Sequence, residues 1–323
     1  MIVYEKYKQE PEKLFLDEIK ISLTQEDLEK ECVKYPEPKF DRYYIRCAVD
    51  KDIREYFESM YCRTKLFLDE NFVKESQKDF HQRSWEMYIV DLMMKKKPDR
   101  LIKPNKEGDA DVKVIIDKNK TLHIECVAPE KGELGNKKSV KNHEYELHVP
   151  ELFDPERKKY IIRMCNSLLN KFEQFQKRLL KGRVLRQDQY IIAFNMDLEY
   201  TSTFNAETIL SYFSADGYVI NKISKEGDES IIFKNIIKWD KNIIQNPIII
   251  KGDNGDIDTH IPLIFMNTKI GAGISGVIFY FYKIINNVTE EKDLFLIHNP
   301  DAQNPIDKEG FDFMHQYFLS RTK

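Results

Sequence analysis

Three carboxylates, Glu86, Asp111 and Glu125, have the types and spacing that could do chemistry. Two of them lie on strand-like segments. Asp111-Val-Lys-Val-Ile-Ile116 and Thr121-Leu-His-Ile-Glu-Cys-Val127 read as strands, and the polar Asp117-Lys-Asn-Lys120 joins them as an antiparallel hairpin. Alternation puts Asp111 and Lys113 on one face of the first strand, with Val112, Val114 and Ile116 on the other. On the second strand Glu125 shares its face with His123 and Val127, while Leu122, Ile124 and Cys126 point into the core. A hairpin with Asp111 and Glu125 on one side would offer both to a single divalent ion. Two carboxylates, a backbone carbonyl and waters satisfy Mg²⁺ (or Mn²⁺), which prefers octahedral oxygen coordination. Such an ion lowers the pKa of a bound water and stabilises charge on a phosphate under attack. His123 is the one histidine on this face and a candidate for positioning water or substrate. The bland alternative is an ordinary hairpin with a solvated acidic face.

Glu86 strengthens the metal interpretation. Trp85, Tyr88, Ile89, Leu92 and Met93 recur at helical spacing and predict one apolar face of an amphipathic helix over Ser84 to Lys95, closed by Pro98. The helical neighbours of Glu86 are Ile89, Val90 and Met93, so its carboxylate needs a partner. The competing explanation places Glu86 in the first helical turn, where the macrodipole favours negative charge.

Further elements follow along the chain. Residues 155 to 181 predict a long helix with Ile161, Cys165, Leu168, Leu169 and Phe172 on one side, and Tyr190 to Phe194 a buried strand. A helix is predicted near Ala206 to Phe213, and strands at Pro247 to Lys251, Gly276 to Tyr282 and Asp293 to His298. The fold class is therefore α/β, a mixed central sheet flanked by helices. Residues 1–75 predict an accessory helical segment, with a helix start at Thr24-Gln25-Glu26-Asp27 and breaks at Pro36 and Pro38. Residues 76–323 form the α/β domain.

Trp85-Glu86 on a helix, Ala110-Asp111 opening a strand and Ile124-Glu125-Cys126-Val127 on the next together resemble the PD-(D/E)XK nuclease superfamily, the restriction-endonuclease-like fold. The 14 positions from Asp111 to Glu125 suit that family's hairpin, and the resemblance spans about residues 84 to 200. It implies a restriction-endonuclease-like core with metal ligands Glu86, Asp111, Glu125 and Cys126, and a lysine two residues after Glu125 that activates water. Val127 stands in that lysine's place, and Ala110 stands where proline is usual. Lys171, on the following helix, is the preferred substitute, ahead of Lys113 and Lys131. The catalytic set is thus Asp111, Glu125, Lys171 and Lys113. Lys177, Arg178, Lys181, Arg183 and Arg186 form the densest local basic cluster and would track a phosphate backbone.

The expected activity is a Mg-dependent phosphodiesterase acting on DNA or RNA. The alternatives are a catalytically inactive nuclease-fold protein with a binding or regulatory role, and a non-nuclease hydrolase using the same carboxylates. The formal net charge of −3 supplies no global nucleic-acid signal, so any such surface must be local. Five cysteines without a CxxC pair predict reduced thiols and a cytoplasmic location, and the charged N-terminus shows no signal-peptide pattern. Asp253 to Asp258 lacks EF-hand spacing. Gly271 to Gly276 lacks a P-loop lysine and predicts a flexible turn, and His298-Asn-Pro300 predicts a polar exit from a strand.

Overall fold

The computed structural model describes residues 13–16, 40–104, 108–129, 155–195, 218–224, 227–232, 272–280 and 294–321. The predicted helices at Thr24 and near Ala206, the strand at Pro247, the loop at Asp253 and Lys131 lie outside them. The chain divides into two compact units, Met1–Lys118 and Asn119–Lys323. The predicted division fell at residue 75. The helix bearing Glu86 belongs instead with the N-terminal helices, because its apolar side chains pack against theirs.

In the first unit, helices α1 (Arg42–Val49), α2 (Lys51–Thr64), α3 (Phe72–Ser76) and α4 (Phe80–Lys96) precede the antiparallel pair β1 (Leu101–Ile102) and β2 (Val112–Asp117). Aspartates start three of the helices. Asp41 accepts from the Tyr43 amide, Asp50 from those of Asp52 and Ile53, and Asp79 from that of Gln82. Asp41 also accepts from the Phe80 amide at 2.8 Å, tying the start of α1 to the start of α4. Between these helices Phe15, Tyr44, Phe57 and Phe80 form an aromatic core. Helix α4 ends at Lys97, ahead of Pro98, as predicted. It is not amphipathic, however: every residue from Ser84 to Met93 is buried. Two charged side chains are carried inside with it, and each meets a counter-charge. Asp91, for example, lies 2.9 Å from both Arg63 and Lys95.

The second unit is a mixed sheet. Its strands are β3 (Lys120–Val127), β4 (Gln189–Asn195), β5 (Tyr218–Ser224), β6 (Gly227–Ile232), β7 (Gly276–Tyr280), β8 (Leu294–His298) and β9 (His315–Arg321). Among the described residues they are ordered β3-β4-β7-β8-β9-β5-β6. β4 runs parallel to both β3 and β7. β7 and β8 are antiparallel, and β8 and β9 parallel. The crossover from β3 to the parallel β4 carries helix α5 (Pro155–Leu180), since parallel neighbours cannot be joined by a tight turn. β4 is buried along its whole length, which explains its unbroken Tyr190-Ile-Ile-Ala-Phe194 run. The turn before β7 lies against helix α5. A Cβ on Gly273 would meet the ring of Phe175 from α5, so glycine there lets the helix close onto the sheet. No described helix is long and apolar enough to cross a membrane.

Candidate functional site

Glu125 sits in β3 at 1% exposure, so the alternative of a solvated acidic face does not hold for this strand. Leu122 to Val127 are all buried because α5 covers the face that carries His123 and Glu125. The helix supplies two cations. Lys171 Nζ donates to Glu125 Oε1 at 2.7 Å. The Arg178 guanidinium forks onto both oxygens, reaching Oε2 through one nitrogen and Oε1 at 3.3 Å through the other. The Tyr190 hydroxyl, from β4, donates to Oε2 at 3.2 Å and accepts from Arg178 at 2.7 Å.

The helix face that reaches the sheet runs through Leu168, Lys171, Phe175 and Arg178, one to two turns apart. The predicted face included Leu168 but not Phe175. Ile161, Cys165 and Leu169 lie outside the described side chains. Phe175 packs its ring 4.7 Å from that of Tyr190 and fixes the distance between helix and strand.

Beside this cluster His123 Nε2 lies 3.1 Å from Asp188 Oδ2, both buried. Asp188 also accepts from the amides of Thr121 at 2.9 Å and Leu185 at 2.7 Å. Burial alone would raise the Asp188 pKa, but the hydrogen bonds from His123, Leu185 and Thr121 outweigh it and hold the carboxyl below its usual range. An ionised Asp188 holds a proton of His123 on Nε2. Nδ1 of His123 is buried and has no hydrogen-bond partner among the described residues.

Glu86, in the first unit, is two turns into α4 rather than in its first turn. Its oxygens accept from Gln82 at 2.8 Å and Arg83 at 2.7 Å. Burial pushes its pKa up, against the pull of Arg83 and Gln82. Arg83 also pairs with Asp69 at 2.8 Å and with Glu75. Its own pKa is raised: burial opposes the charge, and the carboxylates of Glu86, Asp69 and Asp111 overcome that opposition. Asp111 is half-buried and acts electrostatically on Arg83. Lys113 lies 3.5 Å from Asp109, engaged with that neighbour.

These positions allow a test of fit for a divalent ion. Among the described residues no group of three or more Asp, Glu, His or Cys side chains is arranged to hold a metal. The Glu125 carboxylate faces two cations, and a further dication there would be repelled and would have to break the arginine fork. A guanidinium already fills the ion's electrostatic role beside Glu86. Cys126 is buried in the core layer of β3. As placed, Glu86 in the first unit and Glu125 in the second are thus each met by cations of their own unit, and of the other expected ligands Asp111 belongs to the first unit and Cys126 to the second.

Lys171 is placed on Glu125, where the sequence put a substitute for the missing lysine. Arg178 is a correction: it was expected to track phosphates, but it is 8% exposed and committed to Glu125. Its place seven residues after Lys171 on one helix face was the signal that would have paired the two. Tyr190 and Asp188, read only as strand and flank, complete the network through tertiary contacts that no local pattern announces. Lys177, Lys181 and Arg186 are exposed and Arg183 is half-buried. The chain has no match among protein-family models, curated proteins or solved structures.

Proposed function

We propose that the protein binds nucleic acid through its second unit, as a restriction-endonuclease-like protein whose Glu125 serves to organise cations rather than to hold a metal. The observation that carries this is the charge balance along the last turns of α5 and the chain beyond. No acid occurs between Glu173 and Asp188, Asp188 is buried, and Lys177, Lys181 and Arg186 stand exposed in a chain of net charge −3. A local excess of cations on an acidic molecule suits a polyanion, and counterion release would drive its binding. The order helix α4, strands β2 and β3, helix α5, then β4 parallel to β3 supports the nuclease-like core.

A second reading, a Mg²⁺- or Mn²⁺-dependent phosphodiesterase, is favoured by one contact. Lys171 lies against Glu125 and supplies from the helix the cation that Val127 lacks. One experiment separates the two. Single- and double-stranded DNA and RNA are incubated with the protein in Mg²⁺, Mn²⁺ or EDTA, and both binding and cleavage are followed. Binding that is equal in EDTA and Mg²⁺, without cleavage, is the expected outcome. Metal-dependent cleavage lost in Lys171→Ala would replace the first reading with the second. Absence of binding to every nucleic acid would overturn both.

A further inference from the structure

The end of α5 presents apolar side chains among its cations, and this bears on what kind of nucleic acid the surface takes. Leu180 is 86% exposed and Leu185 48% exposed. The segment that carries them is held firmly. The Gly182 amide bonds the Leu179 carbonyl at 3.1 Å and the Arg183 amide the Arg178 carbonyl at 2.9 Å, with Gly182 at φ 66°. These bonds close the helix in a Schellman turn. Beyond it Val184 is buried, the Leu185 amide donates to Asp188 at 2.7 Å, and Asn304 Nδ2 donates to the Arg186 carbonyl at 2.6 Å. Two leucines are thus displayed from backbone pinned on both sides, not from a loose loop.

Their neighbours decide the partner. Leu180 follows Lys177 by three residues, so the two share one side of the helix end, and Lys181 follows next in the chain. A helix that lies in a membrane interface segregates its apolar face from its lysines. Here the two are interleaved. An apolar tip framed by cations suits a partner whose outside is anionic and whose inside is a stack of apolar surfaces, which describes a nucleic-acid duplex. Leucine is among the side chains that enter between base steps while basic neighbours hold the flanking phosphates.

We infer that Leu180, supported by Leu185, is a wedge that enters the base stack of duplex nucleic acid while Lys177, Lys181 and Arg186 grip the backbone. The inference rests on the nucleic-acid reading given above and narrows it to a duplex that is locally unstacked.

The test uses the full chain and four probes: a short DNA duplex carrying 2-aminopurine, the corresponding single strand, and vesicles of neutral or of anionic phospholipid. Duplex binding should raise 2-aminopurine fluorescence, and Leu180→Ala should abolish that rise. The same change should weaken duplex binding about tenfold at every salt concentration. Lys181→Ala should instead lower the slope of log affinity against log salt by about one. Both sites are exposed, so neither variant depends on repacking the fold. Duplex binding that Leu180→Ala leaves unchanged would overturn the wedge while leaving the nucleic-acid reading intact. So would an equal loss on duplex and single strand, which marks a simple contact. Binding to anionic vesicles alone, or to none of the probes, would overturn the nucleic-acid reading and the wedge with it.

Discussion

Glu125 has almost no access to water, so its charge must be matched from within the protein. Lys171, Arg178 and Tyr190 do this, and the pairing sets the consequence of removing it. Glu125→Ala would leave an ammonium and a guanidinium facing each other inside the fold. Breaking a buried pair from one side costs roughly 3–5 kcal/mol, whereas replacing the whole cluster by apolar side chains of similar volume is often neutral. Urea unfolding should therefore find Glu125→Ala less stable by about that amount, and the triple change Glu125→Leu, Lys171→Met, Arg178→Met much closer to wild type. A single variant as stable as wild type would mean that the cluster contributes nothing. Two carboxylates crowded together without cations would give the opposite sign, since losing one would relieve their repulsion. The difference has a physical origin. A strand pattern shows which side chains share a face, but not which helix will cover that face or what charges it brings. The contact of Lys171 with Glu125 was legible because Val127 offers no cation and helix α5 could supply one. Arg178 was hidden among five neighbouring basic residues, with only its spacing to distinguish it.

At the scale of elements, the helix and strand sequence from α4 to β4 was readable because each has its own period and clear stops, such as Pro98 and the Lys118-Asn119 turn. Burial was not. Periodicity predicted an amphipathic α4 and a β3 with one apolar and one carboxylate-bearing face, yet both elements are enclosed, with internal ion pairs meeting the charged residues they carry. The exit from β8 behaves the same way. His298, read as the polar exit from this strand, is its last residue and is buried, with Nε2 2.8 Å from Gln316 Oε1 on β9. The Gln316 amide nitrogen donates to the carbonyls of Lys308 and Phe311, so its oxygen must accept from a neutral His298. The Phe318 ring stacks on the imidazole with centroids 3.9 Å apart, and Lys308 sits over that ring. Burial, helped by the charge of Lys308, lowers the His298 pKa from 6.5 to about 4. The unfolded chain therefore binds a proton more readily than the native one between those values. Stability contributed by neutral His298 is complete above pH 6.5 and falls as pH drops toward about 4. The loss is on the order of 3 kcal/mol across that window. Chemical unfolding measured at several pH values should show this slope in wild type and a flatter one in His298→Gln, which keeps a donor without a titrating ring. Parallel slopes in the two proteins would refute the assignment.

Across the whole molecule, the cysteines report on both units at once. Cys47 in the first unit and Cys126 in the second are buried, while Cys62 is exposed. Cys32 and the side chain of Cys165 lie outside the described residues. A thiol reacts as its thiolate and only where reagent can reach it, so Cys62→Ser should remove a fast-reacting group from the native protein. With Cys32, Cys62 and Cys165 all changed to serine, the two remaining thiols should react slowly and only through opening of the structure. Cys126 neighbours Glu125 on β3 and pairs in register with Ala193 of β4, so its opening rate depends on how firmly α5 and β4 hold that strand. Glu125→Ala introduced into this background removes the polar tie between β3 and α5. Labelling of Cys126, followed by mass spectrometry, should then accelerate well beyond that of Cys47, which serves as the internal reference in the other unit. A Cys126 rate that stays at the wild-type value would show that apolar packing alone holds the strand. The ion cluster would then have no part in keeping the second unit closed.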